Sequence, residues 1–472
     1  MGSREVIDLQ GMRVTVAGLG VSGIPAAKVL HARGAHVTVV NDGDDPRARE
    51  QAAELEALGV TVRLGDGATL PEGTELVVTA PGWKPDKPLF TAARAAGVEI
   101  WGDVELAWRL RGPDAAPWLA ITGTNGKTTT TQMLASILKA AGLRTAAVGN
   151  IGVSVLDAVL GDEQYDVLAV ELSSYQLHWA PSVRAHSAAV LNLAPDHLDW
   201  HGSMEAYAAD KGRVYEGNRV ACVYNVADKA TEDLVREADV EEGCRAIGFT
   251  LGTPGPSQLG VVEGILVDRA FVEDRHKNAQ ELAEVSDVNP PAPHNVANAL
   301  AAAALARAFG VPARAVRDGL RDFTPDAHRI AHVADVGGVA YVDDSKATNT
   351  HAAEASLAAY ESIVWIAGGL AKGATFDELV AKSAKRLRGV VLIGQDRALI
   401  REALARHAPE VPVVDLDRTD TGAMLAAVQE ASRLAVAGDT VLLAPACASM
   451  DMFANYNKRG DAFAEAVREL GS

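Results

Sequence analysis

The feature that most constrains this chain is the run Trp118-Leu119-Ala120-Ile121-Thr122 followed at once by Gly123-Thr124-Asn125-Gly126-Lys127-Thr128-Thr129. The first five residues read as a strand, the glycines as a tight loop, and the residues after them as the start of a helix. A strand–loop–helix unit of this kind belongs in a parallel α/β sheet. Glycine lets the backbone wrap closely around phosphate oxygens. Lys127 can reach β- and γ-phosphates as a compact cation, and the Thr128 hydroxyl is placed to ligate Mg²⁺. The spacing is shorter than the standard phosphate loop, which has a glycine five positions before Gly126, where Ile121 stands. Gly123 lies only three before, which argues against a generic GTPase or kinase.

The same βα rhythm runs through most of the chain. Arg13 to Ala17, Ile24 to Arg33 and Val37 to Val40 form a strand, helix and strand ahead of the loop. Further strands are expected at 145–148, 166–170, 188–193, 220–224, 339–342, 362–367, 390–393 and 440–443. The Gly-, Pro- and acid-rich stretch 250–293 is expected to hold short antiparallel strands, and the Ala-rich segment from Asn295 to Phe309 a strong helix. Its 472 residues are too many for one core, since domains average about 150 residues. Breaks at Arg111-Gly112-Pro113 and Thr324-Pro325-Asp326 divide it into domains at 1–113, 114–325 and 326–472. Only 5% of residues are aromatic, so packing must rest on Ala, Val, Leu and Ile.

A second glycine motif, Gly18-Leu19-Gly20-Val21-Ser22-Gly23, follows the first strand and opens a helix, with Asp42 after the next strand. That is the context of a dinucleotide site, with a diphosphate at the helix N-terminus and a carboxylate for a ribose hydroxyl. Three readings stay open: a nucleotide-diphosphate site for another ligand, an NAD(P) site, or only a tight strand–helix turn. The chain shows no evident hydride-transfer site, and a UDP-linked substrate would use the same amides.

More candidates stand at strand ends. Glu171 closes Asp166-Val167-Leu168-Ala169-Val170 and could hold Mg²⁺, or merely start a solvated helix. Asp196, His197 and Asp199 could form a hard-ion and proton-handling cluster, and a structural role for His197 is as natural when it is taken alone. Lys211, on its own, reads as a solvated helical lysine. Asp343-Asp344-Ser345-Lys346-Ala347-Thr348-Asn349 and Pro445-Ala446-Cys447-Ala448-Ser449 each follow a strand, where α/β sheets present their ligands, although loop caps or polar turns would look alike.

The formal charge of −18 argues against a general nucleic-acid or acidic-membrane binder, which needs a basic surface. It does not exclude a nucleotide, since helix N-termini and loop amides can bind phosphate. Cys222, Cys244 and Cys447 make no CxxC pair, so a structural zinc site is not expected. Sparse cysteines, no visible signal peptide and no apolar run of about 20 residues suggest a cytoplasmic protein without a membrane span.

Several segments together resemble the Mur ligase family: GTNGKTT at 123–129, GNIG at 149–152, ELSSYQL at 171–177, DHLD at 196–199, HNVANALAA at 294–302 and HR at 328–329. DDSKATN at 343–349 and PACASMDMFANYNKRG at 445–460 are similar to the members that add D-glutamate. The resemblance spans nearly the whole chain. It implies a Rossmann-like N-terminal domain for UDP, a central P-loop-type ATPase domain and a Rossmann-like C-terminal domain. The implied substrates are ATP, UDP-MurNAc-L-alanine and D-glutamate, with two Mg²⁺ ions and a monomeric chain. Carried over, Thr128 and Glu171 would hold one Mg²⁺, and His197 and Lys211, the latter carbamylated in the family, a second. Asn150 and His197 would touch the muramoyl-alanine part, and Val21, Ser22, Asp42 and Gly82 the uracil and diphosphate. Asn295, Asn298, Arg329, Asp344 and Lys346 would surround ATP, and Thr348, Lys372, Ser449 and Tyr456 would frame D-glutamate. Gly43 and Asp44 depart from the hydroxyl and basic residue that can follow Asp42. Another amide ligase of the family, such as a folylpolyglutamate synthase, a nucleotide-binding regulator without activity, and a redox enzyme are the competing readings.

Overall fold

The computed structural model describes residues 7–418, 420 and 422–470. It contains three sheets, each dominated by parallel strands. The first is built from β1 (Arg13–Ala17), β2 (His36–Asn41), β3 (Thr61–Leu64), β4 (Leu76–Thr79) and β5 (Glu99–Gly102) in the order β3-β2-β1-β4-β5. Every pairing in it is parallel. The chain runs outward from β1 on one side and then crosses to the other, so the strand order reverses at β1. Such a reversal opens a crevice at the C-terminal strand ends, and the turn Gly18–Ser22 lies there.

The second sheet has nine strands: β6 (Trp118–Thr122), β7 (Ala147–Gly149), β8 (Leu168–Glu171), β9 (Ser187–Val190), β10 (Ala221–Asn225), β11 (Arg245–Phe249), β12 (Gln258–Val262), β13 (Ile265–Asp268) and β14 (Gln280–Glu284). Their order is β14-β13-β12-β11-β10-β9-β6-β8-β7. β6 sits between β8 and β9, and all five of its residues are buried. A strand covered on both faces can be apolar throughout rather than alternating, which explains Trp118-Leu119-Ala120-Ile121. β12, β13 and β14 pair antiparallel, as expected for the polar stretch after 250.

Within the helix Pro293–Ala308 the stretch Ala299 to Ala306 has no polar face: all eight residues are buried. A helix apolar all round must be enclosed by structure, and its alanines permit close approach. The neighbouring helix Ala313–Asp322 packs on Lys127–Ala140 through Gly319.

The third sheet comprises β15 (Ala331–Val336), β16 (Val339–Asp343), β17 (Ile363–Gly368), β18 (Leu387–Ile393), β19 (Val413–Asp415) and β20 (Thr440–Leu443), ordered β15-β16-β20-β17-β18-β19. Only β15 runs antiparallel to its neighbour.

The chain divides into two compact units. One joins the first two sheets with Asn295–Phe323, and the other joins Asn289–His294 with the chain from Thr324 onward. The first two sheets fall in one unit because one apolar cluster runs through both, from Val14 and Leu30 through Trp108 and Trp118 to Val190. Among the described residues no helix is long and apolar enough to cross a membrane.

A methyl group at Gly319 would stand 2.4 Å from Ile137 Cα and 2.6 Å from its amide nitrogen. Alanine brings about 1 kcal/mol of helix propensity, but a backbone clash cannot be relieved by rotating a side chain. Gly319→Ala is expected to destabilise the protein by about 1–2 kcal/mol, read as a lower urea midpoint; an unchanged or higher midpoint would show that the two helices separate freely.

Candidate active site

In the first unit the site lies at the C-terminal ends of β6, β8 and β9. β6 delivers Gly123 to Thr129. Gly123 takes φ +150° and Gly126 φ +83°, conformations that side chains resist. At Gly126 an added methyl would also lie 2.4 Å from Asn298 Oδ1, so the helix carrying Asn295 and Asn298 backs directly onto the loop. The loop is pinned from β9's side. The Thr124 amide donates to Asn192 O at 3.0 Å. The Asn125 amide donates to Asn192 Oδ1 at 2.8 Å, and Asn192 returns a bond to Asn125 O at 3.1 Å.

Lys127 opens the following helix, with Thr128 and Thr129 behind it. Its Nζ folds back to donate to Gly123 O (2.9 Å) and Thr124 O (3.0 Å). Lys211 Nζ donates to the same Gly123 O at 2.9 Å and reaches Thr122 Oγ1 at 3.4 Å. Lys211 is 2% exposed. Burial, and next the Lys127 cation, hold its amine well below the usual lysine range. Nothing local in the sequence marks this lysine as buried; the family resemblance alone singles it out.

Glu171 ends β8 and is 1% exposed. Its Oε1 accepts from Asn150 Nδ2 at 2.8 Å, while its buried Oε2 has no hydrogen-bond partner among the described residues. An unmatched carboxylate oxygen inside a protein is costly and marks a place where a cation or donor fits. His197 follows β9 in a left-handed conformation, φ +53°, and stacks near Tyr175 with ring centroids 4.9 Å apart. Burial pushes its imidazole below the usual range, and Asp196, with Oδ2 3.5 Å from Nε2, opposes this. Asp199 points its carbonyl at Lys84 Nζ, 2.7 Å away, and Trp200 Nε1 donates to Gly82 O at 3.1 Å. The turn after His197 is thereby tied to the loop holding Gly82.

Around the first glycine motif the structure changes the cast. Asn41, not Asp42, reaches the turn: its Oδ1 accepts from the Leu19 amide at 3.1 Å. Asp42 is ion-paired with Lys87, whose Nζ also lies 4.5 Å over the Trp83 ring. Trp83 in turn closes on Gly18, where an added methyl would meet its Nε1 at 2.8 Å. Ser22 precedes the first helix without capping it, and Val21 is 90% exposed. Lys87 and Trp83 were not foreseen; their only signal is position, after β4 at the same strand-end edge.

In the second unit, Asp344, Lys346 and Thr348 follow β16, Lys372 follows β17, and Ser449 follows β20. These three strands are neighbours in the sheet. The Leu370 amide donates to Ala448 O at 2.9 Å, which joins the Lys372 and Ser449 loops. Lys372 takes φ +50°. Lys346 Nζ lies 4.0 Å over the Tyr456 ring. Asp344 is buried; burial pushes its carboxyl up to about 6, against a bond from Ser356 and the charge of Arg329. Arg459, not singled out in sequence, is the clamp here: it donates to Ser345 Oγ (3.0 Å), Ser345 O (2.8 Å) and Cys447 O (3.1 Å).

Comparison with known proteins follows this division. The model of the MurD-like Mur ligase N-terminal domain matches residues 12–102, that of the Mur ligase middle domain 121–306, and that of the Mur ligase glutamate ligase domain 328–447. A UDP-N-acetylmuramoylalanine–D-glutamate ligase of Streptomyces avermitilis is 89% identical over 98% of this chain and 99% of its own length. The chain belongs to the Mur ligase family. A ligase of the same description from Thermobifida fusca is 60% identical over 98% of this chain and all of its own. Among solved structures, the fold of this Mur ligase is shared by the Thermotoga maritima MurF ligase in complex with ADP. That match has 16% identity and a TM-score of 0.58, covering 98% of this chain and 96% of that one. The Thermotoga maritima UDP-N-acetylmuramate–alanine ligase matches at 20% identity and a TM-score of 0.55, covering 97% and 99%.

Replacing Lys211 with Met removes an amine whose charged form its surroundings disfavour. In metal-free, bicarbonate-free buffer at pH 7, Lys211→Met is expected to melt at a higher temperature than the wild type. The unfolded chain keeps the lysine proton up to its ordinary value of 10.5, and the folded chain releases it earlier. Wild-type stability therefore climbs with pH through that window, and the gap should narrow toward pH 10. A variant that melts at or below the wild type at pH 7 would show the amine to be stabilising.

Proposed function

We propose that this chain joins D-glutamate to UDP-MurNAc-L-alanine through an amide bond, using ATP and releasing ADP and phosphate. The observation that carries the reading is the near-identity, end to end, with UDP-N-acetylmuramoylalanine–D-glutamate ligases, and the site has the chemistry the reaction needs. A carboxylate is a poor acyl donor because its leaving group would be oxide. Transfer of the γ-phosphoryl of ATP to the terminal carboxylate of the alanine gives an acyl phosphate with a good leaving group. The amine of D-glutamate then attacks the carbonyl, the tetrahedral adduct collapses, and phosphate departs.

Lys127 and the amides of Gly123 to Thr129 would cradle the phosphates and neutralise charge as the phosphoryl moves. Asn295 and Asn298 stand behind that loop, and Arg329, Asp344 and Lys346 are the ATP contacts proposed for the second unit. The donors near the loop suit magnesium. Mg²⁺ usually takes one or two protein carboxylates and fills its other positions with water and phosphate oxygens, and Glu171 Oε2 with the Thr128 hydroxyl is such a sparse set. When bound, magnesium would neutralise phosphate charge. A neutral Lys211 amine is the form that can add CO₂, losing one proton to become a carbamate; with His197 it would then offer ligands for a second ion.

Val21, Ser22, Asp42 and Gly82 would hold the UDP part, with Asn150 and His197 at the muramoyl-alanine. Thr348, Lys372, Ser449 and Tyr456 would receive D-glutamate, whose two carboxylates call for a cation and several donors. Substrates of this kind place the enzyme in the cytoplasm as a step in peptidoglycan precursor synthesis.

The test is phosphate release from ATP in the presence of each substrate alone and of both. Release should require UDP-MurNAc-L-alanine and D-glutamate together, and Lys127→Ala should lower kcat by about 10²–10³-fold or more with the fold intact. Equal turnover with L-glutamate, or with a folate in place of the UDP-linked acceptor, would sink the assignment.

A further inference from the structure

Glu171, His197 and Lys211 stand on three separate segments, and one buried network ties those segments together. At its centre is Asp210, the residue before Lys211 on the helix Met204–Gly212. His178 Nδ1 lies 3.0 and 2.9 Å from its two carboxylate oxygens, and His201 Nδ1 lies 2.9 Å from Oδ2. Arg213 Nε stands 3.3 Å from Oδ1. On its far side, His201 Nε2 meets Ser174 Oγ at 3.0 Å. This pattern assigns the tautomers: each imidazole donates its Nδ1–H to Asp210, and His201 Nε2 accepts the Ser174 hydroxyl proton.

The partners are distributed in a telling way. Ser174 and His178 begin and end the short helix that follows Glu171. His201 ends the turn Leu198–His201 that follows His197. Asp210 and Lys211 are consecutive on a helix, so their side chains diverge by about 100°. One reaches the histidines while the other reaches the phosphate loop, and fixing Asp210 therefore fixes the rotation that aims Lys211. Aromatic contacts tighten the same joint. Tyr175 stacks on His201 with an interplanar angle of 6° and touches Trp200 at 4.8 Å, and His178 meets Trp200 edge-on at 5.1 Å. Burial raises the Asp210 carboxyl, but the bonds from His178 and His201 outweigh it and hold the group down at about 2.

Stability alone does not call for such a cluster. A buried ionic group can often be exchanged for apolar packing at little or no loss. What apolar packing lacks is direction, and a site that must place three side chains around one reaction centre needs it. We propose that Asp210 is a positioning residue, which through His178 and His201 holds the segments carrying Glu171, His197 and Lys211 in one register. The role rests on the ligase reading of that site.

The test uses the full chain. Asp210→Asn keeps the shape but puts an NH₂ group at one carboxylate position: at Oδ1 it faces Arg213 and leaves both histidines sharing one neutral acceptor, and at Oδ2 it faces both histidine donors. The variant should lose roughly 10- to 100-fold in kcat, the range for supports of metal-site ligands, while KM for ATP stays within about twofold. His178→Asn keeps a donor where Nδ1 stood and should retain most of kcat; His178→Leu should not. Wild-type kcat in Asp210→Asn overturns the role, including the case where only its melting temperature falls. If Asp210→Asn does not fold, equal kcat in the two His178 variants overturns it, and the expected difference between them supports it. A wild type without D-glutamate-dependent phosphate release overturns the ligase reading and this role with it, which separates the two failures.

Discussion

Two lysines share one carbonyl. Lys127 and Lys211 both donate to Gly123 O, and the rest of the site is arranged around that fact. Gly123 can present its carbonyl inward only because it takes a left-handed φ. Two ammonium groups on one buried oxygen would repel strongly in a low-dielectric setting. Location eases the conflict: Lys127 stays at the mouth of the loop, while burial disfavours the charged form of Lys211 in the interior. The two amines thus sit in different surroundings, and those surroundings suit different tasks. A cation serves phosphate; an uncharged amine is a nucleophile toward CO₂.

The acidic balance of the chain is compatible with this chemistry because the phosphate-facing groups are few and local. Beside Lys127, amides and the N-terminal end of the helix Lys127–Ala140 add positive potential at the loop without formal charge. The first glycine motif likewise puts a glycine turn and a helix start at the reversal point of its own sheet. Asp42, read in sequence as a ribose ligand, is neutralised by Lys87, so the edge there is less acidic than the string of Asp42, Asp44 and Asp45 suggests.

Much of the fold was legible because its central strands are covered on both faces. β6, β10, β17 and β20 appear as short apolar runs between turn residues, and the phosphate loop announces its own strand and helix. β15 was not legible: Ala331-His332-Val333-Ala334-Asp335-Val336 carries His332 and Asp335 and has no fully buried residue, and it becomes a strand only by pairing antiparallel along β16. The site divides in the same manner. Residues inside a contiguous motif, such as Lys127, Thr128 and Asp344, stand out by their spacing. Lys211, Lys87, Arg459 and the pair His178–Asp210 do not, since each depends on a partner far away in the chain. A lysine, an arginine or a histidine in an amphipathic helix carries no local mark of being buried.

Several positions that cost stability gather at the C-terminal edges of the second and third sheets. Gly123, Gly126 and His197 take positive φ, Glu171 holds an unmatched buried oxygen, and Lys211 buries an amine, all at the C-terminal ends of β6, β8 and β9. In the other unit Lys372 and Ala446 take positive φ and Asp344 is buried, beyond β17, β20 and β16. Strain of this sort persists only where its surroundings over-determine it. The surroundings are the alanine-lined helix Pro293–Ala308 behind the phosphate loop, the Asn192–Asn125 clasp, the Asp210 network and the Arg459 clamp. The core is therefore more than a scaffold for an otherwise independent site: without dense packing on the inner side, the glycine loop and the left-handed His197 would relax to ordinary turns, and the carbonyl that both lysines share would face solvent.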